Sequence, residues 1–213
     1  MSIVDSYLSA QPGKPRLPGV YYVTDLTKGC LRQAYLDIVS PGKYGVETLR
    51  IFEAGRLIED FWVNVLSKSP GYSLLGTQLV ARWKASWGCI HGRVDALFQH
   101  SEGSIVVHEV KSIKSFAYMN GSAKPEHLQQ IQFYLGSLNV EFGSVDYISK
   151  ENLLQGLEVV EQCYQVRRDP AVFAFMVKRG EELAGYVGRG EVPAACPGWT
   201  CGYCSHKGVE CHE

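Results

Sequence analysis

An aspartate, a glutamate and a lysine lie within the stretch from His91 to Lys111, HGRVDALFQHSEGSIVVHEVK. On an extended strand, residues two apart share a face, so Glu109 and Lys111 project together while Val110 points away. If the stretch folds as a hairpin, with its turn around Gln99 to Gly103, Asp95 joins them from the preceding strand. Two carboxylates are hard oxygen ligands of the kind that hold a divalent cation. With an ammonium group beside them, the set suits hydrolysis of a phosphodiester. The plainer reading of Glu109 and Lys111 is a surface ion pair on a strand.

A second set of reactive side chains closes the chain. PAACPGWTCGYCSHKGVECHE, from Pro193 to Glu213, holds Cys196, Cys201, Cys204 and Cys211. A Cys-x2-Cys turn lets two thiolates grip one metal, and Cys211 can return to it. On spacing alone zinc comes first, with His206 or His212 as substitute ligands. The other possibility uses Cys201, Cys204 and Cys211 with a distant fourth thiolate, since four cysteines are also the usual ligands of iron–sulfur clusters.

The elements that must position these residues are legible as periodicity. Val23 to Val39 reads as a helix with Cys30 near its start, and Glu47 to Leu66 as an amphipathic helix in which Gly55 and Glu59 are near neighbours four apart. Tyr72 to Trp87 suggests one or two strands leading into the hairpin, and Lys114 to Ala123 a loop able to touch substrate. Pro125 opens a helix to about Leu138, with Leu128, Ile131, Leu135 and Leu138 as its apolar stripe and Gln130 and Tyr134 reaching one place beside it. Val145 to Ser149 reads as a strand, and Asn152 to Arg168 and Ala171 to Leu183 as helical. Arg167, Arg168, Lys178 and Arg179 form a loose basic group, best read as a solvated face with phosphate contact behind it. Met1 to Gly19, rich in Pro and Gly, reads as an irregular arm.

Composition bounds the rest. At 213 residues, 46% of them hydrophobic, the chain can bury a core as a single domain. A net charge of −1 gives no global basic field, although a local basic groove offset by acidic ligands is compatible with DNA. No signal-peptide core or membrane-length apolar run is visible, so a cytoplasmic, membrane-free protein is expected. Seven cysteines in a reducing compartment point to metal binding or buried thiols rather than disulfides.

In this order the motifs resemble the RecB-like branch of the PD-(D/E)XK nucleases, and within it the CRISPR-associated exonuclease family, the fourth Cas protein. The resemblance runs from about Val23 to Cys211. Asp95 in GRVDALF matches the first metal-binding carboxylate, Glu109 and Lys111 in VVHEVKS match E-x-K, and Gln130 and Tyr134 in QIQFY match Q-x3-Y. The fold implied is α/β, a mixed central sheet flanked by helices, with an iron–sulfur-binding C-terminal segment. Cys30, Cys201, Cys204 and Cys211 match the split ligand set of that cluster, 4Fe–4S before 2Fe–2S, which would join the tail at 193–213 to the early helix. Cys196 is then spare, and Cys89 and Cys163 belong to the core.

The resemblance further implies a Mg²⁺- or Mn²⁺-dependent exonuclease in which Asp95, Glu109 and the Val110 carbonyl hold the cation. Lys111 positions water or stabilises charge, and Gln130 and Tyr134 support the strand or contact DNA. The implied substrate is single-stranded DNA, the implied role the trimming of spacer precursors in CRISPR adaptation, and the implied partner an integrase complex. Glu59 stands where the pattern has a histidine, four residues after Gly55, and is carried as a metal ligand. The alternatives are a RecB-like repair nuclease and a catalytically weakened iron–sulfur module for DNA binding or assembly.

Overall fold

The computed structural model describes residues 2–11, 16–42, 44–198, 201–202 and 204–211. Element order is α1 (Ile3–Ala10), β1 (Val20–Tyr22), α2 (Val23–Leu26), α3 (Leu31–Val39), α4 (Val46–Lys68), β2 (Tyr72–Ala85), β3 (Gly88–His100), β4 (Ile105–Ile113), α5 (Pro125–Leu138), β5 (Phe142–Ser149), α6 (Lys150–Gln155), β6 (Glu161–Arg167) and α7 (Pro170–Arg189). The six strands form one mixed sheet. β3 is its axis: β2 runs antiparallel along one edge, while the other edge pairs first with β1 and then with β4. β4 and β5 are parallel, joined over one face by α5, and β6 closes the sheet antiparallel to β5.

Helices cover both faces, so β5 is buried along nearly its whole length, including the polar Ser144, Asp146 and Ser149. On one side α5 and α7 bury Ile131, Phe133, Leu135, Met176 and Leu183 against Val107, Val145 and Tyr147. On the other, α4 sets Trp62, Val63 and Leu66 against Ala96, Phe98, Val110 and Ile148. Local chemistry bounds the helices: Pro125 sits in the first turn of α5 and Asn139 ends it in the left-handed conformation (φ 54°). Asp169 caps α7 through the Ala171 amide, 2.8 Å away.

Four expectations are corrected here. The arm contains α1, closed at its start by a reciprocal Ser2–Asp5 cap and tied to α4 by the Arg50–Asp5 ion pair; residues 12–15 of the arm lie outside the described set. The early helix is two helices broken at 27–30, because Arg179 reaches across from α7 to take the carbonyls of Leu26 (2.8 Å) and Lys28 (2.5 Å). That use also removes Arg179 from any phosphate patch, whereas Arg167, paired with Glu141 (2.7 Å), stays on a solvated face. Finally, Glu161 to Arg167 is a strand, not a helix. Its alternating exposure, with Tyr164 and Val166 inward, is the period of an edge strand, and the polar outer positions had masked it.

Candidate active site

The hairpin forms, and its register places the carboxylates. Ala96 lies opposite His108, so one step further along brings Asp95 to Glu109. The ladder between β3 and β4 ends there, where β3 turns to its pairing with β1. Asp95 is where strand alternation slips. Val94 and Leu97, three residues apart, face the same α5-side core, whereas Ala96 and Phe98 face α4. Opposite the slip, Gln78 on β2 has φ 54°, a left-handed backbone unusual for a residue with a side chain. The irregularity turns Asp95 toward the divergence of β3 and β4, where its Oδ2 accepts the Val110 amide at 2.8 Å.

Glu109 is fully buried on β4, paired through Oε1 with Lys111, while its Oε2 has no hydrogen-bond partner. Burial first, and then the neighbouring Glu109 charge, hold the Asp95 carboxyl well above the ordinary range. Burial likewise raises Glu109, with Lys111 opposing. The two carboxyls are within hydrogen-bonding reach, a contact that adds to the rise at Asp95 and opposes the rise at Glu109. Burial alone would lower the Lys111 pKa, but Glu109 and Asp95 outweigh it and keep the ammonium charged.

Gln130 and Tyr134 meet as their spacing predicts, the Gln130 amide donating to Tyr134 Oη at 2.8 Å. Tyr134 spans from α5 to β3, where its hydroxyl hydrogen-bonds with the backbone at Arg93. Its ring lies on Gly92; a Cβ there would come within 2.4 Å of Tyr134 Cε1. Burial, then Glu109, raises the Tyr134 pKa far above the tyrosine range, so it stays a neutral hydroxyl.

Three participants were not singled out from sequence. Tyr147 stands beside Lys111 in the parallel register, takes the Lys124 amide (2.9 Å) and shares a hydrogen bond with His127 Nδ1 (2.7 Å). Burial, then the charges of Lys111 and Lys124, push the His127 pKa down to about 3, leaving a neutral imidazole. The available signal was its place three residues before Gln130 and seven before Tyr134, on the same helix face. Gln78 had no signal, because its role comes from pairing opposite Asp95.

The metal expectations fare differently. Glu59 does not close a three-carboxylate set; its Oε1 takes the amide of Gln78. Burial, then Asp95, raises its pKa to about 7. Among the described residues no group of three or more His, Cys, Asp or Glu side chains is placed to hold a metal ion. The resident Mg²⁺ or Mn²⁺ site is therefore corrected, since Asp95 and Glu109 alone fall short of one. The iron–sulfur cluster is corrected on the same finding. Cys30, Cys196, Cys201, Cys204 and Cys211 border one pocket with Arg32 and His206, yet they do not close into a metal-binding group. Neither does a zinc set; His212 lies outside the described residues.

Protein contacts take over the joining role assigned to the cluster. The buried His206 is held between Asp37 of α3 (2.8 Å) and Glu210 (2.9 Å), and Arg32 of α3 reaches the Pro193 carbonyl (2.8 Å). Burial would lower the His206 pKa; Glu210 and Asp37 raise it instead, so the bridge is ionic.

Scans of the sequence against protein-family models and curated proteins found no match. Among solved structures, SSO0001 superimposes with TM-score 0.67 at 18% identity, covering 97% of this chain and 93% of that one. The alkaline exonuclease LHK-Exo from Laribacter hongkongensis gives 0.59 at 12% identity, covering 81% and 89%. A phage-related exonuclease from Haemophilus somnus 129PT gives 0.56 at 11% identity, covering 75% and 79%. The chain shares its fold with these solved structures, two of which are exonucleases. Within it, Asp95, Glu109 and Lys111 occupy the splay between two central strands, and α5 brings Gln130 and Tyr134 to the same point. Nothing in these likenesses carries an association with CRISPR, and that expectation is withdrawn. Among the described residues no helix is long and apolar enough to cross a membrane.

Proposed function

We propose that the chain is a RecB-like DNA nuclease that hydrolyses phosphodiester bonds at Asp95, Glu109 and Lys111, in DNA processing or repair. The observation that carries the reading is the buried carboxyl pair at the strand splay, one oxygen of which has no protein partner, beside a charged lysine. A buried acceptor left unpaired is costly, and a site that binds a reacting water there, which donates to it, recovers the loss. Glu109, a stronger base than an exposed carboxylate because burial raises its pKa, takes the proton of an attacking water. The water oxygen bonds to phosphorus, the ester oxygen leaves and is protonated from solvent, and Lys111 offsets the negative charge that develops on phosphate. Asp95, fixed by the Val110 amide, holds the Glu109 carboxylate in place, and Tyr134 with Gln130 braces β3 beside it.

The names of the similar structures support exonuclease action, and LHK-Exo has been seen with dAMP. Single-stranded DNA cut from an end is the substrate proposed for this chain. The test is loss of 5′- and 3′-labelled single-stranded DNA in Mg²⁺, in Mn²⁺ and in chelator. Glu109→Gln should slow release of the terminal nucleotide by at least about 100-fold with an unchanged melting profile. Equal degradation by the two proteins ends the assignment.

A further inference from the structure

α4 offers a feature that the hydrolytic site does not use. Residues 52, 55, 59, 62, 63 and 66 share one face of this helix at the 3.6-residue period. Along its C-terminal half that face is covered: Trp62, Val63 and Leu66 are buried. At Gly55 it still meets β4, since a Cβ there would lie 3.5 Å from Ser112 Oγ. At Phe52 the covering stops, and an aromatic ring on the inward stripe is 52% exposed. Tyr44, 60% exposed, meets it edge to face with centroids 5.1 Å apart and planes at 83°. In that geometry one ring presents its edge to the other, so a π-face stays open to a further partner.

Position says what that partner is. Phe52 precedes Glu59 by seven residues, about 10.5 Å along the helix axis. Glu59 in turn bonds Gln78, which lies opposite Asp95 between the Thr77–Ala96 and Leu79–Val94 pairs, so the open rings lie about two helical turns from the residue that borders the carboxyl pair. Arg93, exposed on β3 two residues before Asp95, puts a cation between the rings and the carboxyl pair, on the Glu59 side. Basic groups that follow a phosphate backbone, with aromatic rings on which unstacked bases lie, are the two components of a single-strand site.

We propose that Phe52 and Tyr44 form a stacking platform for a base of single-stranded DNA, flanking the scissile phosphate on the α4 side. The proposal rests on the nuclease reading for its substrate. Stacking requires a base freed from its neighbours, so the platform favours single strands over duplex and tolerates any sequence.

The test measures binding of the full chain in chelator, where nothing is cut, by fluorescence anisotropy. Its probes are a labelled oligothymidylate and an abasic phosphodiester oligomer of equal length. Phe52→Ala should weaken oligothymidylate binding between about 5-fold and about 150-fold. Phe52→Trp should restore it, and neither substitution should change binding of the abasic oligomer. Unchanged oligothymidylate affinity in Phe52→Ala, an equal loss on the abasic oligomer, or no binding by the wild type overturns the platform. So does a change in sedimentation alone, which would make the rings a contact between proteins. A wild type that stacks DNA but fails to cut it separates failure of the nuclease reading from failure of this one.

Discussion

Glu59→Gln should stabilise the protein, and only above a defined pH. Glu59 lies half-buried with its Oε1 taking the Gln78 amide, a contact that a glutamine carbonyl can keep. Its pKa is raised from 4.5 to about 7 by burial first and by Asp95 next, with Asp60 adding and Gln78 and Arg93 opposing. A raised carboxyl pKa means that the folded state retains a proton the unfolded chain gives up. The stability tied to neutral Glu59 is therefore present below about pH 4.5 and lost as pH rises toward 7. The full rise corresponds to about 3.4 kcal/mol at most. Water reaching a half-exposed side chain screens this to about 1–2 kcal/mol.

Glutamine cannot ionise, so wild type and variant should respond alike to acid and separate between pH 4.5 and 7. At pH 8 the variant should melt roughly 2–8 °C higher for a chain of this length. Titration of Asp95 and Glu109 is common to both proteins and largely cancels in the difference. The assay is thermal or urea unfolding of both at half-unit steps from pH 4.5 to 8. A gap that does not change with pH, or a variant less stable at pH 8, would show that Glu59 carries no buried charge and refute the electrostatic picture of this face.

Gly92→Ala should cost about 1–3 kcal/mol, because the new methyl meets the Tyr134 ring and must displace it. The rate on DNA should fall with it as Tyr134 and Gln130 leave β3, whereas Gly29→Ala, with no atom within 4 Å of the added methyl, should stay near wild type in urea melts and activity. Asp146→Ala should cost about 3–5 kcal/mol in urea unfolding, since it strips a buried carboxylate from Trp62 Nε1 (3.0 Å), His108 Nδ1 (2.7 Å) and Ser144 Oγ (2.5 Å). Burial would raise the Asp146 pKa, but these partners lower it, so the stability it supplies is present at neutral pH and lost as pH falls below the ordinary aspartate range.

Much of the site was legible because it is written in local periods. Strand alternation put Glu109 and Lys111 on one face, and a four-residue helical spacing put Gln130 beside Tyr134. The helix from Pro125 to Leu138 appears with the bounds its proline start implied. β6 was missed because its inward positions are too few and too mixed to outweigh polar neighbours. α1 was missed because its start depends on one reciprocal cap in a segment whose composition suggests irregular chain.

The chain's own order thus determined which groups could act: a carboxylate pair with a lysine, a glutamine and tyrosine one turn apart, and thiols gathered near the end. Tertiary structure decided which of them meet and in what state. The slip at Asp95, the bare Glu109 oxygen and the neutral His127 all follow from how strands diverge and helices cover them. Glu59 went to Gln78 and the cysteines did not close into a metal group, although spacing allowed both. The physical reason is that spacing along a chain fixes direction over a few residues, whereas distance between remote side chains, and the water left around them, is set by the packing of the whole sheet.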